Sequence, residues 1–147
     1  MIQNNSRYVL AYLLWAVSVA SALAILLISR SAFMVVLGVT QWDRYVEHAI
    51  NQFGFLFLAI FGLSVIVFTE HFYRTGVEKN RLFARFFLIS LLELIFLTLA
   101  HGTRLLGETM LGFLTPATLA LVGAEVVLCG LLFWLYRQAS QRVTSPL

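Results

Sequence analysis

The sequence predicts an all-α integral membrane protein, a four-helix bundle with both termini on the cytoplasmic side. Three observations predict it. Hydrophobic residues make up 61% of the 147 and charged residues only 12%, whereas a soluble domain places about a quarter of its residues as charges to face water. The apolar residues are gathered into four runs, each close to the ~20 residues a helix needs to cross about 30 Å of hydrocarbon. The basic residues are also shared unequally between the two ends of those runs, as the positive-inside rule requires. Four spans and short connections use up the chain, so residues 1–147 are expected to form a single transmembrane domain.

The first span is expected over residues 8–29, which hold no charge. Ala20, Ala22 and Ala24 resemble a signal-peptidase pattern, but the apolar run continues past them, and a cleaved core is only about 7–15 residues long. A retained helix is expected. Ala16, Ala20 and Ala24 share one face with Ser18 and Ala22 close by, and small side chains let helices approach closely in lipid. Residues 30–48 are expected to form an interfacial segment with a short apolar piece, Phe33 to Leu37. Within it, Thr40-Gln-Trp-Asp43 has the hydroxyl and the following acid of a helix start. The second helix is expected from near Gln41 to about Phe72, with residues 49–70 in the hydrocarbon. Its first turns carry Asp43, Arg44, Glu47, His48, Asn51 and Gln52 and should protrude, while Trp42 and Tyr45 suit the headgroup level.

Arg74 to Arg81 reads as a tight turn broken by Gly76 and Asn80, which makes the flanking helices antiparallel neighbours. The third span is expected over 82–101, with Arg85 reaching back to the interface. A polar connection from His101 to Thr115 holds Gly102, Gly107 and Gly112. Thr115-Pro116 then places a capping hydroxyl before a proline suited to the first helical position, and the fourth span is expected over 116–137, closed by the belt residues Trp134 and Tyr136. Arg137 to Leu147 reads as a polar, disordered tail. With a cytoplasmic N-terminus, that side carries Arg7, Arg74, Lys79, Arg81, Arg85, Arg137 and Arg142, against Arg30, Arg44 and Arg104 outside. The lone Cys129 excludes an intrachain disulfide, and the net charge of +3 is explained by topology without nucleic acid.

Chemistry is expected where charge enters the apolar runs. Glu93 and Glu125 each lie near the middle of a span, and intramembrane acids are functional-site hypotheses by default. On the third helix Ser90, Glu93, His101 and Arg104 form a polar stripe with Phe86, Leu97 and Ala100 at helical spacing. On the fourth, Thr118, Glu125 and Cys129 share a face with Val122 and Leu132. If the two acids meet, a shared-proton carboxyl pair is the simplest neutral arrangement. That pair would serve proton relay or ion coupling, or merely lock helices together through Ser90 or a partner's backbone. His48 and His101, at the outer ends of the second and third helices, are the residues able to ligate a haem or chlorin. His71 reads as an interface residue, and a zinc site from Glu47, His48 and His101 lacks the usual spacing. Arg74, Lys79, Arg81 and Arg85 set orientation and offer attraction for anionic headgroups.

No P-loop, dinucleotide fingerprint or nucleophile elbow is present, which argues against an enzyme. The expected function is that of a small, non-enzymatic membrane subunit, in contact with lipid and packed with other subunits onto a larger assembly of the respiratory or photosynthetic kind. Two further readings are a haem- or chlorin-binding bundle using His48 and His101, and a proton-coupled transporter or channel using Glu93 and Glu125.

Overall fold

A computed structural model describes residues 2–39, 43–112 and 115–141. They form four helices: α1 Ile2–Val39, α2 Arg44–Glu78, α3 Leu82–Met110 and α4 Pro116–Gln141. Among the described residues there is no strand. All four helices are long and apolar enough to cross a membrane.

Every helix outruns the hydrocarbon stretch from which it was predicted. Arg30–Val39, expected as an interfacial connection, continues α1, with Ala32 and Leu37 buried. The polar groups there find partners with the helix intact: Ser31 Oγ donates to the Ile28 carbonyl at 2.7 Å, and the Arg30 guanidinium lies 4.8 Å from the centre of the Phe55 ring on α2. Likewise His101–Met110, expected as a loop, completes α3. Its hydroxyls bond back to their own helix, Thr103 to the Leu99 carbonyl and Thr109 to that of Leu105. Polarity there does not mark an end of the helix. The expected start at Thr40-Gln-Trp lies outside the described residues; Asp43 precedes α2 and makes no side-chain cap. Of the expected tail, residues 137–141 are helical, and the rest lies outside the described residues.

Of the two expected breakers before α3, only Asn80 acts as one: α2 continues past Phe72 through Arg74 and the buried Gly76 to Glu78. Asn80 has φ 53°, the left-handed conformation that Asn tolerates better than most side chains. The Arg81 N–H donates to the Gly76 carbonyl at 2.9 Å and the Asn80 N–H to that of Val77 at 3.2 Å, the paired bonds that close a helix with a left-handed residue after its cap. Gly112, at φ 77°, ends α3 in the same conformation. Pro116 opens α4, as the Thr115-Pro116 pair predicted.

The four helices do not surround a common axis. α1 packs against both α2 and α3; α2 and α3 touch more sparingly; α4 packs on α3 alone. The core lies toward the α2–α3 turn, where Ala11, Tyr73, Val77, Leu82 and Ile89 are buried with Trp15, Phe72 and Phe86 packed around them. Tyr73 is 1% exposed and Ser18 2%, and their hydroxyls share a 2.8 Å hydrogen bond across α1 and α2. Trp15 Nε1 donates to the Ile66 carbonyl at 3.3 Å, and Arg7 reaches Asn80, tying the first turns of α1 to the α2–α3 turn. Glycines admit neighbouring side chains elsewhere: a Cβ on Gly62 would stand 2.9 Å from Leu26, and one on Gly107 would stand 2.7 Å from Val35. The small residues that let these helices meet are therefore glycines of α2 and α3 with Ser18 of α1, whereas Ala16, Ala20 and Ala24, the face expected to pack, are exposed.

Candidate functional site

Proline 116 starts α4 a fixed distance from the end of α3, and this sets the register of the two helices. Three side-chain pairs report that register: Thr118 Oγ1 donates to Glu108 Oε2 at 3.1 Å, His101 Nδ1 meets Glu125 Oε1 at 2.7 Å, and Thr98 Oγ1 lies 3.9 Å from Cys129 Sγ. Each pair is nearly equidistant from the middle of the connection, as an antiparallel hairpin requires. The face of α4 expected from spacing, Thr118, Glu125 and Cys129, is the face it turns to α3.

The seam carries polar pairs from the α3–α4 connection to the middle of α4. At the end nearest the α3–α4 connection Thr115 and Thr118 hydroxyls are 2.6 Å apart, and Arg104 Nε donates to Glu108 Oε1 at 2.7 Å, so Glu108 joins α3 to α4. Seven residues deeper, about 10 Å along either helix, the His101–Glu125 pair is largely shielded, with 13% and 9% of the side chains exposed. Glu125 is the only residue of α4 that is buried among those described. Its Oε2 is also buried and has no hydrogen-bond partner. Such an orphan acceptor costs about 1–3 kcal/mol when left unmet.

The structure separates the two acids expected as a pair. Glu125 stands opposite His101, and Glu93 is eight residues from His101 on α3, about 12 Å farther along the axis. Glu93 is half-buried within electrostatic reach of the Tyr73 hydroxyl on α2. It therefore belongs to the three-helix core, whereas Glu125 belongs to the seam. Of the expected stripe, Ser90 is half-buried on α3 and Arg104 is exposed and bound to Glu108.

Nor does the structure bring His48 and His101 together. His101 is engaged with α4, which α2 does not touch. His48 is exposed and shares a 3.1 Å contact with Gln52 one turn along its own helix. Measured from Asn80, His48 lies about 48 Å along α2 and His101 about 32 Å along α3, so they also differ in depth. His71 is exposed. Among the described residues no three His, Cys, Asp or Glu side chains are gathered to hold a metal ion, and the zinc set with Glu47 is not formed.

What the sequence reading missed is the His101–Glu125 contact. The signal was available: 101 and 125 are each twelve residues from position 113, the middle of the hairpin connection. Placing His101 at a helix end concealed it. Comparison with protein-family models, curated proteins and solved structures returned no match.

Proposed function

We propose that this chain is a small multi-pass subunit that docks against another membrane protein through the outer face of α4. Four membrane-length helices in one short chain make it a membrane protein in kind. The observation that supports a docking role is that α4 has one neighbour and turns an unusual face away from it. At 100° per residue, Ala120, Gly123, Val127 and Gly130 lie opposite Glu125, and all four are exposed. A Cβ on Gly123 or Gly130 would meet nothing within 4 Å. Exposed Leu and Phe need only lipid. Small residues in lipid instead favour the close approach of another helix backbone.

The asymmetric charge supports cytoplasmic termini. Arg7, Arg74, Lys79, Arg81, Arg85 and Arg137 lie toward the end that holds the α2–α3 turn, while Arg30, Arg44 and Arg104 lie toward the other.

Extraction in native lipid particles, followed by size and mass analysis, tests the proposal. A discrete complex containing this chain and a second membrane protein is expected, and Gly123→Leu with Gly130→Leu should release the chain still folded. A wild-type chain recovered only as a monomer overturns the proposal, and recovery as a homodimer replaces the foreign partner with a second copy. An absorption spectrum of the same sample shows whether the assembly carries haem or chlorin.

A further inference from the structure

We propose that His101 and Glu125 form an intramembrane proton-binding site, served from the α3–α4 connection by the polar seam. The ligand is a proton, delivered by water. This inference stands independently of what covers the outer face of α4.

Three observations carry it. The first is the contact itself: an imidazole nitrogen and a carboxyl oxygen 2.7 Å apart are two groups that can each hold the same proton. It can reside on His101 Nδ1 or on Glu125 Oε1 without either heavy atom moving. The second is Glu125 Oε2. The residue is 7% exposed, and this oxygen is buried with no donor near it. An ionised carboxylate has about four acceptor positions, and here one oxygen receives a single bond and the other none. A second proton taken up by the pair, bound at Oε2 while the first rests on His101 Nδ1, or a water donating to Oε2, uses that unmet position.

The third observation is the approach. Thr115, Thr118, Glu108 and Arg104 make a connected set at the end of the seam, two helical turns from the pair. On the far side Thr98 and Cys129 continue the polar line for one further turn, and Thr98 Oγ1 is held on the Leu94 carbonyl at 2.8 Å. Polar groups thus stand on both sides of the pair, one set two turns toward the α3–α4 connection and Thr98 with Cys129 one turn beyond. The charged neighbours are accounted for. Arg104 is bound to Glu108 on α3, and α4 brings Cys129. From α1, which packs against α3, Arg30 lies over Phe55 of α2. No other described side chain makes an ion pair with either member of the dyad. Proton transfer within the pair moves one proton and creates no net charge. Uptake of a second proton adds one positive charge to the seam and returns it on release.

The test is a pH titration of the full chain in lipid nanodiscs, followed by His101 ring-nitrogen shifts and by the infrared carbonyl band of Glu125. The two signals should titrate together. His101→Asn keeps an amide donor at the Nδ1 position but cannot exchange a proton, and Glu125→Gln removes the acid. Each should abolish the coupled transition while circular dichroism shows the helices intact. Glu108→Gln should slow proton exchange at His101 severalfold without moving its midpoint. If His101 does not titrate over the range in which the protein stays folded, or titrates unchanged in Glu125→Gln, the proposal is overturned. If Glu125→Gln unfolds, His101→Asn alone decides, because loss of the Glu125 carbonyl transition in that folded variant supports the site and its persistence refutes it.

Discussion

The three-helix core and the α3–α4 seam hold helices together by different physics. In the core, α1, α2 and α3 meet through glycines that accept a neighbour's side chain, Leu26 over Gly62 and Val35 over Gly107, and through one fully enclosed hydroxyl pair, Ser18 and Tyr73. Close approach there maximises dispersion, which must replace the hydrophobic drive in lipid. In the seam, α4 buries an acid and no apolar side chain among its described residues, and the two helices are registered by hydrogen bonds. A packed interface tolerates no added volume. A hydrogen-bonded one tolerates volume but depends on donors and acceptors. Each can therefore be broken by a substitution that leaves the other intact.

The largest effect is expected at Gly107. Its Cβ would fall 2.7 Å from Val35 Cγ1, a branched side chain with little rotamer freedom. Gly107→Ala should therefore cost about 1–3 kcal/mol by overpacking, read as a lower denaturation midpoint in detergent. Next comes Tyr73→Phe, which strands the buried Ser18 hydroxyl. Interhelical bonds of this kind contribute about 0.6–2 kcal/mol, and combining it with Ser18→Ala should recover part of the loss. A double mutant whose loss equals the sum of both single losses would show that the hydroxyls are uncoupled.

Glu125→Ala should leave the core untouched and loosen α4. Cys129, half-buried against Thr98, reports this directly. Its maleimide labelling should accelerate roughly three- to twentyfold, the equivalent of about 0.6–1.7 kcal/mol, while the Tyr73 environment stays constant by fluorescence. Equal disturbance of both would erase the distinction between the two regions. The smallest effect is expected at Arg104, which is exposed and pairs with Glu108 within its own helix. Arg104→Ala should change stability by only about 0.3–0.5 kcal/mol.

The existence and order of the four helices, the turn at Asn80 and the start at Pro116 were legible in the residues, because hydropathy, a left-handed-tolerant side chain and a fixed-φ ring act locally. Helix length was not. Thr103, Arg104, Glu108 and Thr109 look like loop residues by polarity, yet each finds a partner three or four positions away on the same helix, which local composition does not reveal. Glu93 and Glu125 stand out in the sequence as acids inside apolar runs, and both lie within long apolar helices of the structure. Their separation depends on the α3–α4 register and on which side of α3 each neighbour occupies, and hydropathy carries neither. His101 was singled out too, but as a haem or chlorin ligand and not as the partner of Glu125.

That α4 rests on α3 alone has a consequence for how the chain is made. It is also the last of these four helices to be synthesised. Every contact among α1, α2 and α3 lies within residues already translated before α4 emerges. The core can close first, and the fourth helix then arrives as a late addition, laid along a finished surface by one hairpin. Chains interrupted near Thr115 retain the complete set of core contacts and lose only the seam, so a membrane insertase meets two separable tasks in this protein rather than one.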